Sequence, residues 1–460
     1  MVGTVENTSK FPDEDTIQAL RTSLQGKVID RNDPEYNDAR AIWNGMIDRH
    51  PAVIARCSNT EDVVNAVNVA REHGLLVAVR GGGHNAAGKA VCDDGIVIDL
   101  SAMKDVTVDP ESRTAWAQGG ATWADFDAAT TAHGLATTGG LISTTGVAGL
   151  TLGGGFGWLL REYGMACDNL IGAEVVTASG EVVNVSEDEN ADLLWGLRGG
   201  GGNFGIVTNF KFQLHPIGTV TSGMIVHPYE RAREAIQRYR EFSMSAPESL
   251  TTFCGLMTSP EGEKIVAYII FHDGPEDTGR ELLAPLLEWG PPVAADLAQV
   301  PYAQHQQMLD EGFPHGLHVY WRSDFLRELD DDLIDTLIDQ FDKVTSPLSA
   351  LVLEQFGGAV RRVPKDATAF VHREGEYNLA IISRWNPDEE PEPHIAWARG
   401  VHDAIRPYST GVYVNYLGDE GADRVRAAYN EEVYQQLVDL KNRYDPTNLF
   451  RLNQNIEPTV

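Results

Sequence analysis

Lysine is scarce in this chain of 460 residues: nine lysines and 27 arginines stand against 67 aspartates and glutamates, a formal charge of −31. That balance leaves no basic patch to neutralise phosphate, so nucleic acid and anionic membrane surfaces are excluded as partners. Nowhere does the sequence approach the ~20 uninterrupted apolar residues that a membrane helix needs, and a soluble protein is expected. The opening MVGTVENTSKFPDED has neither a basic start followed by an apolar run nor a small-residue cleavage site, so the expected location is cytoplasmic. Cysteine is sparse too. Cys57, Cys92, Cys167 and Cys254 form no C-x-x-C pair, which argues against a disulfide framework and a structural zinc site and leaves buried free thiols. No G-x-x-x-x-G-K-[ST] run exists, so phosphoryl transfer lacks its lysine. Internal repeats and low-complexity segments are absent as well.

What is present is a globular composition, 42% hydrophobic and 22% charged, in a chain long enough for two or three cores. Ser58 with Glu61 makes a capping-box pattern before the helical spacing of Val63, Val64, Val67 and Ala70, and Gly74 closes that helix. A buried strand, 75–79, runs into Arg80-Gly-Gly-Gly-His84-Asn85 and on to a second strand, 95–100. Residues 105–118 read as a hairpin around Asp109-Pro110, 123–133 as a helix, and 173–185 as a hairpin turning at Ser179-Gly180. After His215-Pro216 the glycine clusters stop. Amphipathic helices near 230–243, 275–288, 331–344 and 393–406 then alternate with strand-like runs 264–271, 351–356 and 377–385, the pattern of an α+β unit with a sheet backed by helices.

Three glycine clusters stand out: Arg80 to His84, Gly139 to Gly157, and Arg198 to Gly205. Glycine lets backbone amides approach a ligand closely, and successive N–H groups can cradle a pyrophosphate without lysine. An anionic dinucleotide is the natural candidate. Gly200-x-Gly202-x-x-Gly205 matches the dinucleotide fingerprint in letters, yet a strand, 206–214, follows it where a Rossmann site needs a helix. A Rossmann NAD site is therefore rejected.

These segments resemble the berberine-bridge-enzyme-like group of the vanillyl-alcohol-oxidase-like flavoproteins. Val79-Arg-Gly-Gly-Gly-His-Asn85 is similar to the group's pyrophosphate loop ending in a flavinylated histidine, and Thr144 to Trp158 to its second flavin-cradling segment. Leu194 to Thr208 is similar to the third, and Asp445 to Asn455 to the C-terminal signature. The resemblance implies a two-domain α+β fold: an FAD domain from residues 1–215, an inserted antiparallel-sheet substrate domain at 216–410 backed by helices, and a return of 411–460 to the FAD domain. It implies FAD held by Arg80, Gly81, Gly82, Gly83, His84, Asn85, Gly146, Gly149, Gly153, Gly154, Ile206, Val207, Asn415, Asn453 and Asn455, with no metal. A covalent bond is implied from His84 to the flavin. Some members carry a second bond from a cysteine, and Ile142 occupies that position here, so a single link is expected.

The catalytic base is less plain. Several members carry a carboxylate or glutamine on a strand matched to Tyr377-Asn-Leu-Ala-Ile-Ile-Ser-Arg-Trp385, where Ala380 stands instead, with Asn378 on the same face. The resemblance then points to Tyr413 and Tyr416 beside Asn415, because carbohydrate-oxidising members use a tyrosine of this motif. Gln355 and the pair His372-Arg373 are further candidates for the substrate side, and Thr145 falls where the group places a gatekeeper to oxygen. The expected activity is hydride transfer to flavin from a C–OH or C–N carbon of a small polar substrate (a sugar, alcohol or amine), with oxygen or another acceptor taking the electrons. The alternative is a flavin carrier or sensor without turnover.

The acidic, lysine-poor composition also suits a protein dissolved in strong salt, where screening over about 3 Å at 1 M removes carboxylate self-repulsion. The melting midpoint should then be higher in about 2 M than in about 0.1 M potassium chloride. A midpoint that does not rise with salt would remove the halophile reading.

Overall fold

The computed structural model describes residues 12–418 and 421–460, and the N-terminal stretch on which the cytoplasmic expectation rests lies largely outside the described residues. Near the N-terminus, strands Lys27–Asp30, Val53–Arg56, Ile96–Asp99 and Val77–Arg80 form a four-stranded sheet in that spatial order. The last three run parallel. Helix Thr60–His73 packs on this sheet through Val63, Ala66, Val67 and Ala70. Its cap differs from the expected capping box, because Asn59 accepts from the Asp62 N–H while Ser58 donates to the Asp62 carboxylate. Asp62 also collects the N–H groups of Gln25 and Gly26, and that wider demand displaces Glu61 from the role. Gly74 closes the helix in the left-handed region as expected.

A second, antiparallel sheet has the order Val106–Asp109, Thr114–Gln118, Ile206–Gln213, Leu170–Val176, Val182–Ser186. The first two and the last two of these strands are the expected hairpins. Strand Ile206–Gln213 follows the third glycine cluster directly, as the rejection of a Rossmann site requires. Helix Glu431–Tyr444, capped by Asn430, packs against the core beneath this sheet through Val433, Leu437, Val438 and Leu440. The chain beyond it is fixed by a fully buried ammonium: Lys441 Nζ lies 2.7 Å from Asp445 Oδ2, 3.0 Å from the Asn203 carbonyl and 3.2 Å from the Phe450 carbonyl. Thus the C-terminal segment is tied to the third glycine cluster.

The third sheet has eight antiparallel strands: Ala294–Pro301, Thr219–Pro228, Lys264–Asp273, Leu250–Thr258, Ala350–Gln355, Tyr377–Trp385, His318–Leu326 and Ser409–Gly411. One face carries Cys254, Leu256, Leu351, Leu353, Leu379 and Ile381, and helices Ala232–Ser245, Glu276–Leu287, Asp331–Phe341 and Pro391–Ile405 cover it. The side chains that alternate with these form the other face, where Phe253, Ile269, Phe271, Val352, Ala380 and Ile382 pack on Trp158 and Leu159 from the glycine-rich half. A face that would otherwise meet water is therefore buried between the two halves.

Arg161 secures the junction. Its buried guanidinium donates to the carbonyls of Ala246 and Pro247 just past helix Ala232–Ser245, where the helix dipole favours a cation, and to that of Leu250, which opens the next strand. Among the described residues no helix is long and apolar enough to cross a membrane, no group of His, Cys, Asp and Glu could hold a metal ion, and all four cysteines are buried and free.

Candidate active site

One continuous cavity runs between the glycine clusters, the C-terminal segment and the edge of the eight-stranded sheet. Its floor is backbone. The loops at Gly82 and Gly146 touch so closely that a Cβ on Gly82 would sit 2.4 Å from the Gly146 nitrogen. Gly153 has its own constraint, since a Cβ there would meet the Asn415 side chain at 2.1 Å. Gly149 and Gly202 differ from both. A Cβ at either would meet no protein atom within 4 Å, neither has a positive φ, and both line the cavity. Packing of the chain does not require glycine there, and glycine at both positions leaves the cavity clear of a side chain. Asn453 borders the same space, donating from Nδ2 to the carbonyls of Gly202 and Phe450 while its Oδ1 is buried without a partner.

His84 stands at the end of this floor, half-buried. Its ring stacks on Trp43 at 4.9 Å with 16° between planes, and His315 meets it edge-on at 5.7 Å. Nε2 lies 2.9 Å from Thr144 Oγ1 and Nδ1 lies 3.4 Å from Thr145 Oγ1. Burial, and then the neighbouring His315, bring its pKa down to about 3, so the imidazole is neutral and a ring nitrogen keeps its lone pair. A strap from the eight-stranded part holds Trp43 in place. The Phe313 carbonyl accepts from Trp43 Nε1 at 3.1 Å, and the Gly316 N–H donates to the Trp43 carbonyl at 3.1 Å.

Tyr413 and Tyr416 line the same cavity. Tyr413 Oη accepts from the Gly155 N–H at 3.0 Å and from Asn415 Nδ2 at 2.8 Å, and Asn415 also donates to the Leu150 carbonyl. Tyr416 Oη donates to Glu354 Oε1 at 3.2 Å, and Asn378 Nδ2 donates to Glu354 Oε2 at 2.6 Å. Burial raises the Glu354 pKa to about 8 against the opposing pull of these two donors. Burial also pushes both tyrosines well above the ordinary phenol range, Tyr416 with the added influence of Glu354.

Most residues named from the sequence meet at this cavity: Gly81 to Asn85, Gly146, Gly149, Gly153, Ile206, Val207, Asn415, Asn453, Tyr413 and Tyr416 all line it. Ile142 and Thr145 line it too. Arg80, Gly154 and Asn455 are not among the lining residues. Arg80 turns its buried guanidinium to Asp99 at 2.7 Å and to the Ala39 carbonyl, so its side chain braces the loop rather than facing the cavity. Gln355 points to the helix-covered side, donating to the Ser243 carbonyl and accepting from Thr252. Arg373 is paired with Asp168 at 2.7 Å, and His372 Nε2 meets the Ala428 carbonyl at 3.0 Å. Glu354, Trp43, Trp321 and His315 were not anticipated. A glutamate within the otherwise apolar, fully buried run Ala350–Gln355 was the available signal for the first.

A family model for an FAD binding domain matches residues 51–186, and one for berberine and berberine-like proteins matches residues 412–457. An FAD-linked oxidoreductase of Dictyostelium discoideum is 34% identical, over 99% of both chains. The chain belongs to the berberine-bridge-enzyme-like FAD-linked oxidoreductases. Crystallographic 6-hydroxy-D-nicotine oxidase from Arthrobacter nicotinovorans superposes with a TM-score of 0.86 at 29% identity, covering 95% of this chain and 98% of that one. The xylooligosaccharide oxidase of Myceliophthora thermophila, solved with xylobiose, gives 0.86 at 25%, covering 97% and 99%. The fold is thus the vanillyl-alcohol-oxidase-like one, an FAD domain completed by the C-terminal tail and an antiparallel substrate domain backed by helices. The flavoenzyme's cradle fits its cofactor: glycines open onto the cavity, backbone N–H groups are available, and an orphan amide oxygen on Asn453 can take a donor from the ligand.

Gly149→Ala separates the two demands on this glycine. The residue lies inside helix Val147–Leu152, so alanine should stabilise the flavin-free protein by about 0.5–1 kcal/mol while weakening FAD binding tenfold or more. Calorimetry with a flavin titration checks both signs.

Proposed function

We propose that this oxidoreductase takes a hydride from a C–OH or C–N carbon of a small substrate lying between the flavin and the substrate-domain sheet, and that Tyr416 and Glu354 take the accompanying proton. Bound flavin supplies the hydride acceptor, and the protein supplies position and electrostatics. The hydrogen bond from Tyr416 Oη to Glu354 Oε1 carries the reading. A phenol this far above its usual range is no standing base, but it can accept the substrate proton at Oη as its own moves to the carboxylate. Asn378 holds the other carboxylate oxygen and so fixes the direction of that transfer. Tyr413, whose oxygen already accepts two hydrogen bonds, orients Asn415 and the Gly155 turn beside it. A carrier or sensor without turnover would have no need of a buried acid aligned through a tyrosine.

The neutral imidazole of His84, framed by Trp43 and Thr144, supports covalent flavin attachment through that residue, and Ile142 supports a single bond. We place the domain limits at 1–215, 216–410 and 411–460. The short strand Ser409–Gly411 belongs to the substrate-domain sheet, so the chain crosses back at its end. Oxygen or another acceptor would reoxidise the flavin, and Thr145 is the residue beside His84 at which that choice would be tuned. The cytoplasmic and high-salt readings rest on the sequence.

Glu354 must be ionised to receive a proton, so the rate of anaerobic flavin reduction by a turned-over alcohol or amine should fall as pH drops through about 8. Glu354→Gln should flatten that profile and slow reduction by about 10²–10⁴, and a profile unchanged in the variant would sink the role. Attachment is read from colour. Acid-precipitated protein should stay yellow, and His84→Ala should release its flavin into the supernatant.

A further inference from the structure

Where the cavity meets the substrate-domain sheet, its walls are Trp43, Leu141, Ile142, Phe156, Trp321 and Tyr416, and behind them Val352, Ala380 and Ile382 belong to the same packed cluster as Leu141, Trp321 and Tyr416. Lys89, on the turn beyond the His84 loop, is the only side chain of formal charge among the lining residues. Behind Tyr416, outside the lining itself, Glu354 and Asn378 hold each other, and Ser323, beside Ala380 in the strand register, has a buried hydroxyl with no partner. On this wall, one polar atom is unmatched: the indole Nε1 of Trp321 is buried and makes no hydrogen bond. Trp321 stands edge-on to Tyr416 at 5.0 Å and to Trp43 at 5.5 Å, so its N–H belongs to the aromatic box around the reacting end.

A sugar chain brings many hydroxyls, and each one buried against apolar wall without a partner costs about 1–3 kcal/mol. A largely apolar ring brings none of that cost and gains contact with the indoles and Phe156. An unpaired N–H in such a wall favours a ligand that offers it an acceptor and penalises one that cannot. We propose that the substrate is an aromatic or alicyclic alcohol or amine carrying one further hydrogen-bond acceptor, not an oligosaccharide, and that Trp321 is the residue that selects for the acceptor. The proposal rests on reading the Tyr416–Glu354 end as the reacting end.

The test uses the flavin-loaded protein and two probes of nearly the same shape, quinoline with a ring-nitrogen acceptor and naphthalene without one, with binding read from the perturbed flavin absorbance. Quinoline should bind about fivefold tighter than naphthalene, the equivalent of one ordinary hydrogen bond. Trp321→Phe should abolish that ratio while naphthalene still binds, which also reports that the pocket is intact. Xylobiose should leave the spectrum unperturbed at about 10 mM, far weaker than a fitted site would bind it. Equal affinity for the two probes, no binding of either, a ratio that survives in Trp321→Phe, or xylobiose perturbing the flavin below the quinoline concentration would each overturn the proposal. The probes need not react, so the outcome is independent of whether any donor reduces the flavin.

Discussion

Backbone against backbone at Gly82 and Gly146 is the contact on which the site depends. Two loops from different parts of the sequence can approach this closely only without side chains, and the approach places a line of amides beneath one elongated cavity. An anionic dinucleotide would ordinarily attract lysines and arginines. Here the chain is strongly acidic and Arg80, the arginine nearest the loop, is committed to Asp99. Lys89 is the one side chain of formal charge among the lining residues, so an anionic cofactor would be met mainly by backbone dipoles, and glycine at Gly149 and Gly202 leaves that backbone open to the cavity.

The two halves are joined by burial on one side and by specific polar ties on the other. The sheet face bearing Val352 and Ala380 carries only the short helix Tyr302–His305 from its own domain among the described residues, and Trp158 and Leu159 of the FAD domain complete its cover. Arg161 at the helix end and the strap that fixes Trp43 then determine how the halves sit. In consequence His84 is framed by residues of both domains, with Trp43 and Thr144 from one and His315 from the other.

Much of this was legible in the sequence, for identifiable reasons. Strand Tyr377–Trp385 and the hairpin turning at Ser179-Gly180 are encoded by patterns complete within a few residues, and the glycine clusters by composition alone. Glu354 was not legible because its significance lies in register. Asn378 and Glu354 face each other only once strands Ala350–Gln355 and Tyr377–Trp385 are paired, and attention to the second strand alone finds Ala380 and no acid. The aromatic frame around His84 fails to show for the same reason, since Trp43 and His315 reach it from segments with no local signature. The cap of helix Thr60–His73 fails for a different one, because Asp62 serves distant backbone groups that the local pattern cannot register.

Glu354 has a consequence for the whole fold. Its pKa is raised to about 8 in the folded state from an ordinary value of 4.5, so between those pH values the folded chain holds a proton that the unfolded chain has lost. Raising the pH across that window draws the equilibrium toward the unfolded state, by at most about 1.4 kcal/mol per pH unit from this one group. Asp127, pushed up to about 7 by burial against the opposing pull of the Gln306 amide, adds to the same trend. Alkali therefore loosens the fold through the same buried carboxyl that meets Tyr416.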